Sequence, residues 1–477
     1  MLLAILYTLH PMNTALNNKR VIFGWTMYDW ANSVFSLTIA TAIFPIYFNN
    51  ICKAAALAQG GFVDGKYHLK IFGLNVLSTE LYSFVLSLGF LIVAFLSPLL
   101  SGIADYKHNK KLFLKIFCYL GSASCIGLFF FNQSNIEVGI LLFILSLIGF
   151  SGSIVFYNAF LPEIVTEDQY DKVSARGFSM GYIGSVILLL MNLALIMMPD
   201  VFFPFQQKVN ELLAAQPGLT LADATDQAKT HYTGLATRLS FVSVGVWWAG
   251  FAQIMFVRVP EVKKERTHEG NLFLKGFEEL KKVWAQLKHK PLIKTYLIGF
   301  FFTSMGVQTV MYVASLFGEE ELKLETPKLI ATVLIIQLVA IGGAWIFSRL
   351  SAKIGNIYTL LTMIGVWLFI CGYAYFVTKD TQFYILAFVV GLVMGGIQSM
   401  MRSTFAKIIP DNTPDTASYF SFYDVCEKMA SVLGTFSFGL INGLTGSMRS
   451  SILAIALFFI IGLIFISQIK NFKSVHP

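Results

Sequence analysis

The residues of this chain that could do chemistry are charged and amide side chains set inside long apolar runs. Asp29, Asn32, Ser33 and Ser36 recur through the run 22–48. At about 100° per residue on a helix they share one face, while Trp30, Val34, Leu37 and Thr38 point away. Tyr28 adjoins the stripe. The run 417–444 repeats the spacing with Asp424, Glu427, Lys428 and Ser431. Asp424 and Lys428 stand four apart and can pair along one helix, leaving Glu427 as the unbalanced charge. Ser304, Gln308 and Ser315 lie in the run 292–317, and Asn158, Arg176, Gln398 and Arg402 come from three further runs. A carboxylate at mid-helix costs roughly 2.5–3.5 kcal/mol to insert into a bilayer, so it persists where it faces a cavity or a partner. The chemistry such groups support is the binding and passage of a polar solute or a proton. The candidates for a substrate or ion cavity are Asp29, Asn32, Tyr28, Asn158, Gln308, Gln398, Asp424, Glu427 and Lys428.

The competing reading of each is helix glue, worth around 0.6 kcal/mol per polar contact. It suits Asp424 with Lys428 as a buried structural pair, and Glu163 and Arg176 as interfacial groups near helix ends. Glue has little need of a full charge, which favours function for Asp29. Catalysis has less to build with. All seven histidines fall in loops or termini, and the five cysteines show neither CxxC nor metal-ligand spacing. No metal, no cofactor and no enzyme activity are expected. The net charge of +8 sits in short loops and forms no aromatic-interleaved basic patch, which excludes nucleic acid as a partner.

The elements that must hold these groups are membrane helices. With 56% hydrophobic and 13% charged residues and a mean hydropathy of +0.67, the chain has about half the charge of a soluble domain. About 20 apolar residues span a bilayer core, and there every backbone group must be satisfied locally, so each run reads as a helix. The spacing predicts twelve, at 22–48, 80–104, 112–132, 137–160, 176–198, 236–257, 292–317, 328–351, 357–378, 381–404, 417–444 and 450–468. Taking Lys19-Arg20 as cytoplasmic places about 22 basic residues on that side and about 10 on the other. Both termini are then cytoplasmic in an inner (plasma) membrane. Met1 to Leu9 lacks a basic n-region and a small-residue cleavage site, so it does not read as a secretory signal; Met12 is an alternative start.

The longest basic connection, Arg258 to Lys290, carries Lys263, Lys264, Arg266, Lys281, Lys282 and Lys288, and reads as a linker with an amphipathic helix. It divides the chain into an N-terminal segment 1–21, a first bundle 22–257, the linker 258–291, a second bundle 292–468 and a tail 469–477. The outer loops 49–79 and 199–235 read as solvated caps, the second with helical stretches. The two sixes look like a repeat. The fourth and tenth runs each close on a proline, Pro162 and Pro410, and the loops Ser101–Lys111 and Ser348–Gly355 occupy matching places.

The loop Ser101-Gly102-Ile103-Ala104-Asp105-Tyr106-Lys107-His108-Asn109-Lys110-Lys111 resembles the G-x-L-A-D-R-x-G-R-K-R motif of the major facilitator superfamily. Asp105, Lys110 and Lys111 match, while Ser101 and His108 replace its glycines. Three longer stretches resemble the vacuolar amino-acid effluxer-like, autophagy-related branch of that superfamily. They are Gly24–Ser33 with Thr41–Phe48, Phe156–Glu163 with Ala175–Phe178, and Gly395–Gln398 with Arg402-Ser403 and Phe422–Val425. The string Tyr28-Asp29-Trp30-Ala31-Asn32-Ser33 is the most specific. The resemblance implies an all-α fold of two six-helix pseudo-repeats, with Asp105, Lys110 and Lys111 as a gating clamp; Arg176 and Arg402 are read beside them as gating or structural groups. It also implies a monomeric transporter of amino acids or related small solutes; the intramembrane charges suggest alternating access about a central polar cavity, with Asp29 or Glu427 as the candidate proton-coupling acid. A non-transporting sensor on the same fold and an integral membrane enzyme are the alternatives.

Overall fold

Alternation of apolar runs with short charged loops produces a helical bundle. The computed structural model describes residues 16–63, 66–107, 109–260, 278, 281–282, 284–286, 290–324, 326–410, 413, 415–445 and 447–469. Met1 to Leu9, Met12, most of the basic linker and the tail beyond 469 lie outside the described residues.

The first segment begins with α1 (Lys19–Val34), capped by the Asn18 side chain. Its hydrogen bonding then widens into a π-helical stretch, Phe35–Ala42, in which Thr41 Oγ1 donates to the Ser36 carbonyl at 2.8 Å. The segment bends by 41° into α2 (Phe44–Ala58), with Pro45 in its first turn where a missing N–H costs nothing. The expected cap 49–79 is thus in part a continuation of this helix. The remainder is a three-stranded antiparallel sheet, β1 (Phe62–Val63), β2 (Lys66–Ile71) and β3 (Leu74–Leu77), the one departure from an all-helical chain among the described residues.

The first half continues with α3 (Ser78–Lys107), α4 (Lys110–Gly127), α5 (Ile136–Ala159) and α6 (Tyr170–Met197). A short outer helix, α7 (Phe205–Ala215), precedes α8 (Leu221–Arg258). The second half comprises α9 (Pro291–Glu320), α10 (Thr326–Ile354), α11 (Asn356–Ala374), α12 (Asp380–Ile408), α13 (Thr416–Thr445) and α14 (Met448–Ser467). Ten of these are long and apolar enough to cross a membrane, or eleven when the bent first pair is one span. The 30-residue α13 is as long, but Asp424, Glu427 and Lys428 in its first half make it more polar. The described parts of the linker, at Glu278, Lys281-Lys282 and Trp284–Gln286, are helical.

Close crossings rest on small residues. Gly121 of α4 and Gly149 of α5 face each other so tightly that a Cβ on Gly149 would lie 2.4 Å from the Gly121 Cα, and one on Gly343 of α10 would lie 2.0 Å from the Leu392 carbonyl oxygen of α12. Backbones that approach this closely gain dispersion contact without a hydrophobic driving force, as membrane packing requires. The two halves of the chain meet where α6 packs on α10 and α12, and where α13 packs on α3 and α5.

Candidate functional site

Between the halves lies a cavity of about 220 Å³. The polar face of α1 lines it with Asp29, Asn32 and Ser33, and the π-helical stretch adds Ser36; α9 adds Ser304 and Gln308, and α13 adds Glu427, Lys428 and Ser431. Asn158 and Gln398 of the expected set line it too, and Arg402, Tyr157, Tyr182, Tyr312 and Gln337 join them. The rest of the wall is aromatic and aliphatic, including Phe90, Phe150, Phe178, Phe300, Met394 and Met401. A mostly apolar wall with a few converging polar groups is the usual form of a small-molecule site.

Its electrostatic centre is Arg402, in the last two turns of α12. Both terminal nitrogens lie 3.3 Å from Asp29 Oδ2, and Nη1 also donates to Asn158 Oδ1 at 3.3 Å. Nε donates to Ser174 Oγ and Nη2 to the Ser174 carbonyl, both at 2.9 Å. Tyr157 donates its hydroxyl to the same Asp29 oxygen at 2.6 Å. The guanidinium is flanked by the rings of Phe178 (4.2 Å to the centroid) and Trp25 (4.9 Å). All these partners belong to the first half of the chain. Arg402, expected among the gating groups, is therefore also a wall of the cavity and the main ionic tie across it.

A second charged group faces it from α13. Lys428 Nζ lies 3.6 Å from an oxygen of Asp424 and 3.6 Å from one of Glu427, and Gln308 donates to Glu427 at 2.9 Å. Lys428 thus stands between two carboxyl groups. Two members of the expected cavity set are elsewhere. Tyr28, one residue and therefore about 100° away from Asp29, is wedged inside the first half between Tyr157 and Phe256. Asp424 is buried behind Lys428 and does not reach the cavity wall. Leu37, expected to point away, lines the wall; it lies in the π-helical stretch, where the α-helical rotation per residue no longer applies.

Below the cavity the halves are tied at two matching places. Lys110, at the start of α4, forms a 2.5 Å ion pair with Glu163 and donates to Thr416 Oγ1 at the start of α13. Asn356, at the start of α11, donates to Asp171 at 2.8 Å, while Lys407 reaches Asp171 and Asn356 Oδ1 at 2.9 Å each. Ser351 donates to Asp171 as well, at 2.9 Å. Each cluster joins the start of a third helix and the end of a fourth helix in one half to a helix start in the other. The repeat seen in the loops is thus a repeat of clamps. Higher up, Ser174 donates to the Ser399 carbonyl at 2.8 Å and Tyr182 to Gln398 at 2.7 Å. From the linker, Lys282 pairs with Asp415 at 3.2 Å and Gln286 accepts from Tyr419 at 2.6 Å.

The other motif residues divide differently. Lys111 donates to the Val259 carbonyl beyond α8 at 2.6 Å. The side chains of Asp105 and Ser315 lie outside the described residues. Arg176 is exposed and faces a separate crevice at the clamp end, and Glu163, grouped with it in sequence, pairs with Lys110 instead. Asp171 and Lys407 are absent from the sequence candidates because charges at helix ends look like solvated loop charges. The one available signal was their position in the repeat. Among the described residues no cluster of three or more metal-ligating side chains occurs.

These features coincide with known proteins. Residues 17–475 match the family model described as vacuole effluxer Atg22 like. An uncharacterised transporter of major facilitator type, YxiO of Bacillus subtilis, is 29% identical over 94% of each chain. Autophagy-related protein 22 of Kluyveromyces lactis is 24% identical over 93% of this chain and 92% of its own. Among solved structures, the major facilitator superfamily transporter FucP in an outward conformation superposes with a TM-score of 0.62 at 13% identity, covering 95% of this chain and 99% of that one. The human organic anion transporter MFSD10 gives 0.61 at 12% identity, over 94% and 98%. Each likeness spans nearly the whole chain and each is to a transporter or a member of the effluxer family. The chain belongs to the Atg22-like vacuole effluxer family, on the fold of the major facilitator superfamily.

Proposed function

We propose that this chain carries an amino acid or a related small zwitterion across the inner membrane by alternating access, coupled to protons. The bundles 22–257 and 292–468 are the moving units, the clamp end is cytoplasmic together with both termini, and the chain works as a monomer. The observation that carries this reading is the cavity between the halves, which presents both signs of charge: Arg402 with Asp29 on one side, Glu427 with Lys428 on the other. A zwitterion can exchange with both pairs. A solute carboxylate competing for Arg402 would release Asp29 and loosen the tie between the halves, linking occupancy to movement. Separating a buried carboxylate from its cation favours its protonated form, which links movement to proton binding.

The test is uptake of labelled amino acids and small peptides into proteoliposomes, with and without an imposed pH gradient. Accumulation that collapses with the gradient supports proton-coupled amino-acid transport. Absence of uptake of every pool member by folded protein would remove the amino-acid assignment. Asp29→Asn and Glu427→Gln then separate the two candidate acids: the variant that still concentrates substrate on a proton gradient excludes its residue from coupling.

A further inference from the structure

A second crevice, of about 1430 Å³, opens at the clamp end of the seam between α6 and α10. The cavity function does not use it. Its wall includes Lys172 and Arg176 from α6 and Arg349 from α10, all exposed and without an ion-pair partner among the described residues. Of the three carboxylates nearby, Asp171 is neutralised by Lys407, Asp168 is held by Thr166 and Gln169, and Glu167 stands at the rim. Counting Lys407, the wall has four cations against these three acids, so the open side of the crevice is positive.

The chain direction says what meets that charge. Arg349 lies over the ring of Trp345 at 5.5 Å, and Trp345, Ile346 and Leu338 are about half exposed (48%, 53% and 53%). They recede from Arg349 along one face of α10. On α6, Ile187, Leu190 and Met191 are exposed in the same way. Ile187 follows Arg176, and Leu338 precedes Arg349, by about three turns, roughly 16 Å of helix. Each arginine therefore heads an apolar stripe of its own helix that runs toward the membrane interior. Two cations above two greasy tracks match a charged headgroup with two acyl chains, and an exposed tryptophan beside an arginine is an interfacial anchor.

We propose that this crevice binds one anionic glycerophospholipid, its phosphate bridging Arg176 and Arg349 and its chains lying along α6 and α10. One arginine comes from each half of the chain, so the bound headgroup adds a further tie at the clamp end. The site stands independently of what the central cavity carries.

Native mass spectrometry of the detergent-purified full chain, titrated with phosphatidylglycerol or phosphatidylcholine, tests it. The expected result is one phosphatidylglycerol retained in preference to phosphatidylcholine. Arg176→Ala/Arg349→Ala should bind it about thirty-fold more weakly, while Arg176→Lys/Arg349→Lys keeps most of the preference and shows that the fold is intact. Equal retention of the two lipids, or an alanine variant that binds phosphatidylglycerol as tightly as the native chain, would overturn the proposal. So would displacement of the lipid by glycerol phosphate at equal concentration, which would make the crevice a site for a free anion.

Discussion

Replacing Arg402 with alanine should part the two halves at the clamp end. The Arg402 and Asp29 side chains are 4% and 10% exposed, and every hydrogen-bond acceptor of the guanidinium lies in the other half. Removing one partner of such a buried pair costs about 3–5 kcal/mol, mostly because the remaining charge is stranded. Water reaches Asp29 once the halves separate, so the penalty falls on the closed arrangement and not on the open one. At about 1.4 kcal/mol per tenfold, even 3 kcal/mol shifts the closed-to-open ratio by roughly 150-fold. The shift can be read as a distance between spin labels at Leu112→Cys on α4 and Tyr358→Cys on α11. Both positions are exposed, at 46% and 57%, near the starts of equivalent helices. The native cysteines, four buried and Cys426 partly so, would be replaced first. A single short distance in the parent should give way to a dominant longer one in Arg402→Ala. Adding Asp29→Asn should return part of the population, since it removes the stranded charge. An Arg402→Ala protein that is folded, and whose distance distribution matches the parent, would refute the argument that this pair holds the halves together.

Other expectations follow from neighbouring geometry. Gly177→Ala would place a Cβ 2.3 Å from Asp29 Oδ2 and 3.0 Å from Arg402 Nη2, so it should displace the pair and reduce transport by more than about tenfold while leaving thermal stability within about 1–3 kcal/mol of the parent. Gly149→Ala lies away from that pair. It forces the backbones of α4 and α5 apart, which should lower the melting temperature through an overpacking cost of at least 1–3 kcal/mol with no direct effect on substrate affinity. Lys407→Ala leaves Asp171 with the hydroxyl of Ser351 and the amide of Asn356. Because the pair is less deeply buried than that of Arg402, label distances should respond in the same direction but by a smaller factor, about tenfold.

The membrane helices were legible in the sequence because lipid makes a local demand: each run must satisfy its own backbone, so length and apolarity settle the element without knowledge of its neighbours. The stripe of Asp29, Asn32, Ser33 and Ser36 was legible for the same reason, since helical rotation alone puts those residues on one face. The rule failed where the helix departed from ideality, and Leu37 in the π-helical stretch faces the cavity after all. It also failed to separate Tyr28 from its neighbour Asp29, because adjacent residues point apart and only the position of α8 shows that Tyr28 is enclosed.

Tertiary structure alone chose the partners. Arg402 and Asp29 are 373 positions apart, and nothing in either segment says that one completes the other. Asp171 and Lys407 were indistinguishable from loop charges until the halves were brought together, and nothing local marked Glu163 and Thr416 as joint partners of Lys110. Within α13 the spacing did anticipate the contact of Lys428 with Asp424. The shared contact with Glu427, and the Gln308 amide that holds it, depended on how α9 lies against α13. Period and composition act within one helix. The rotation of that helix against its neighbours is decided by packing, and packing determined which charges line the cavity and which tie the two halves together.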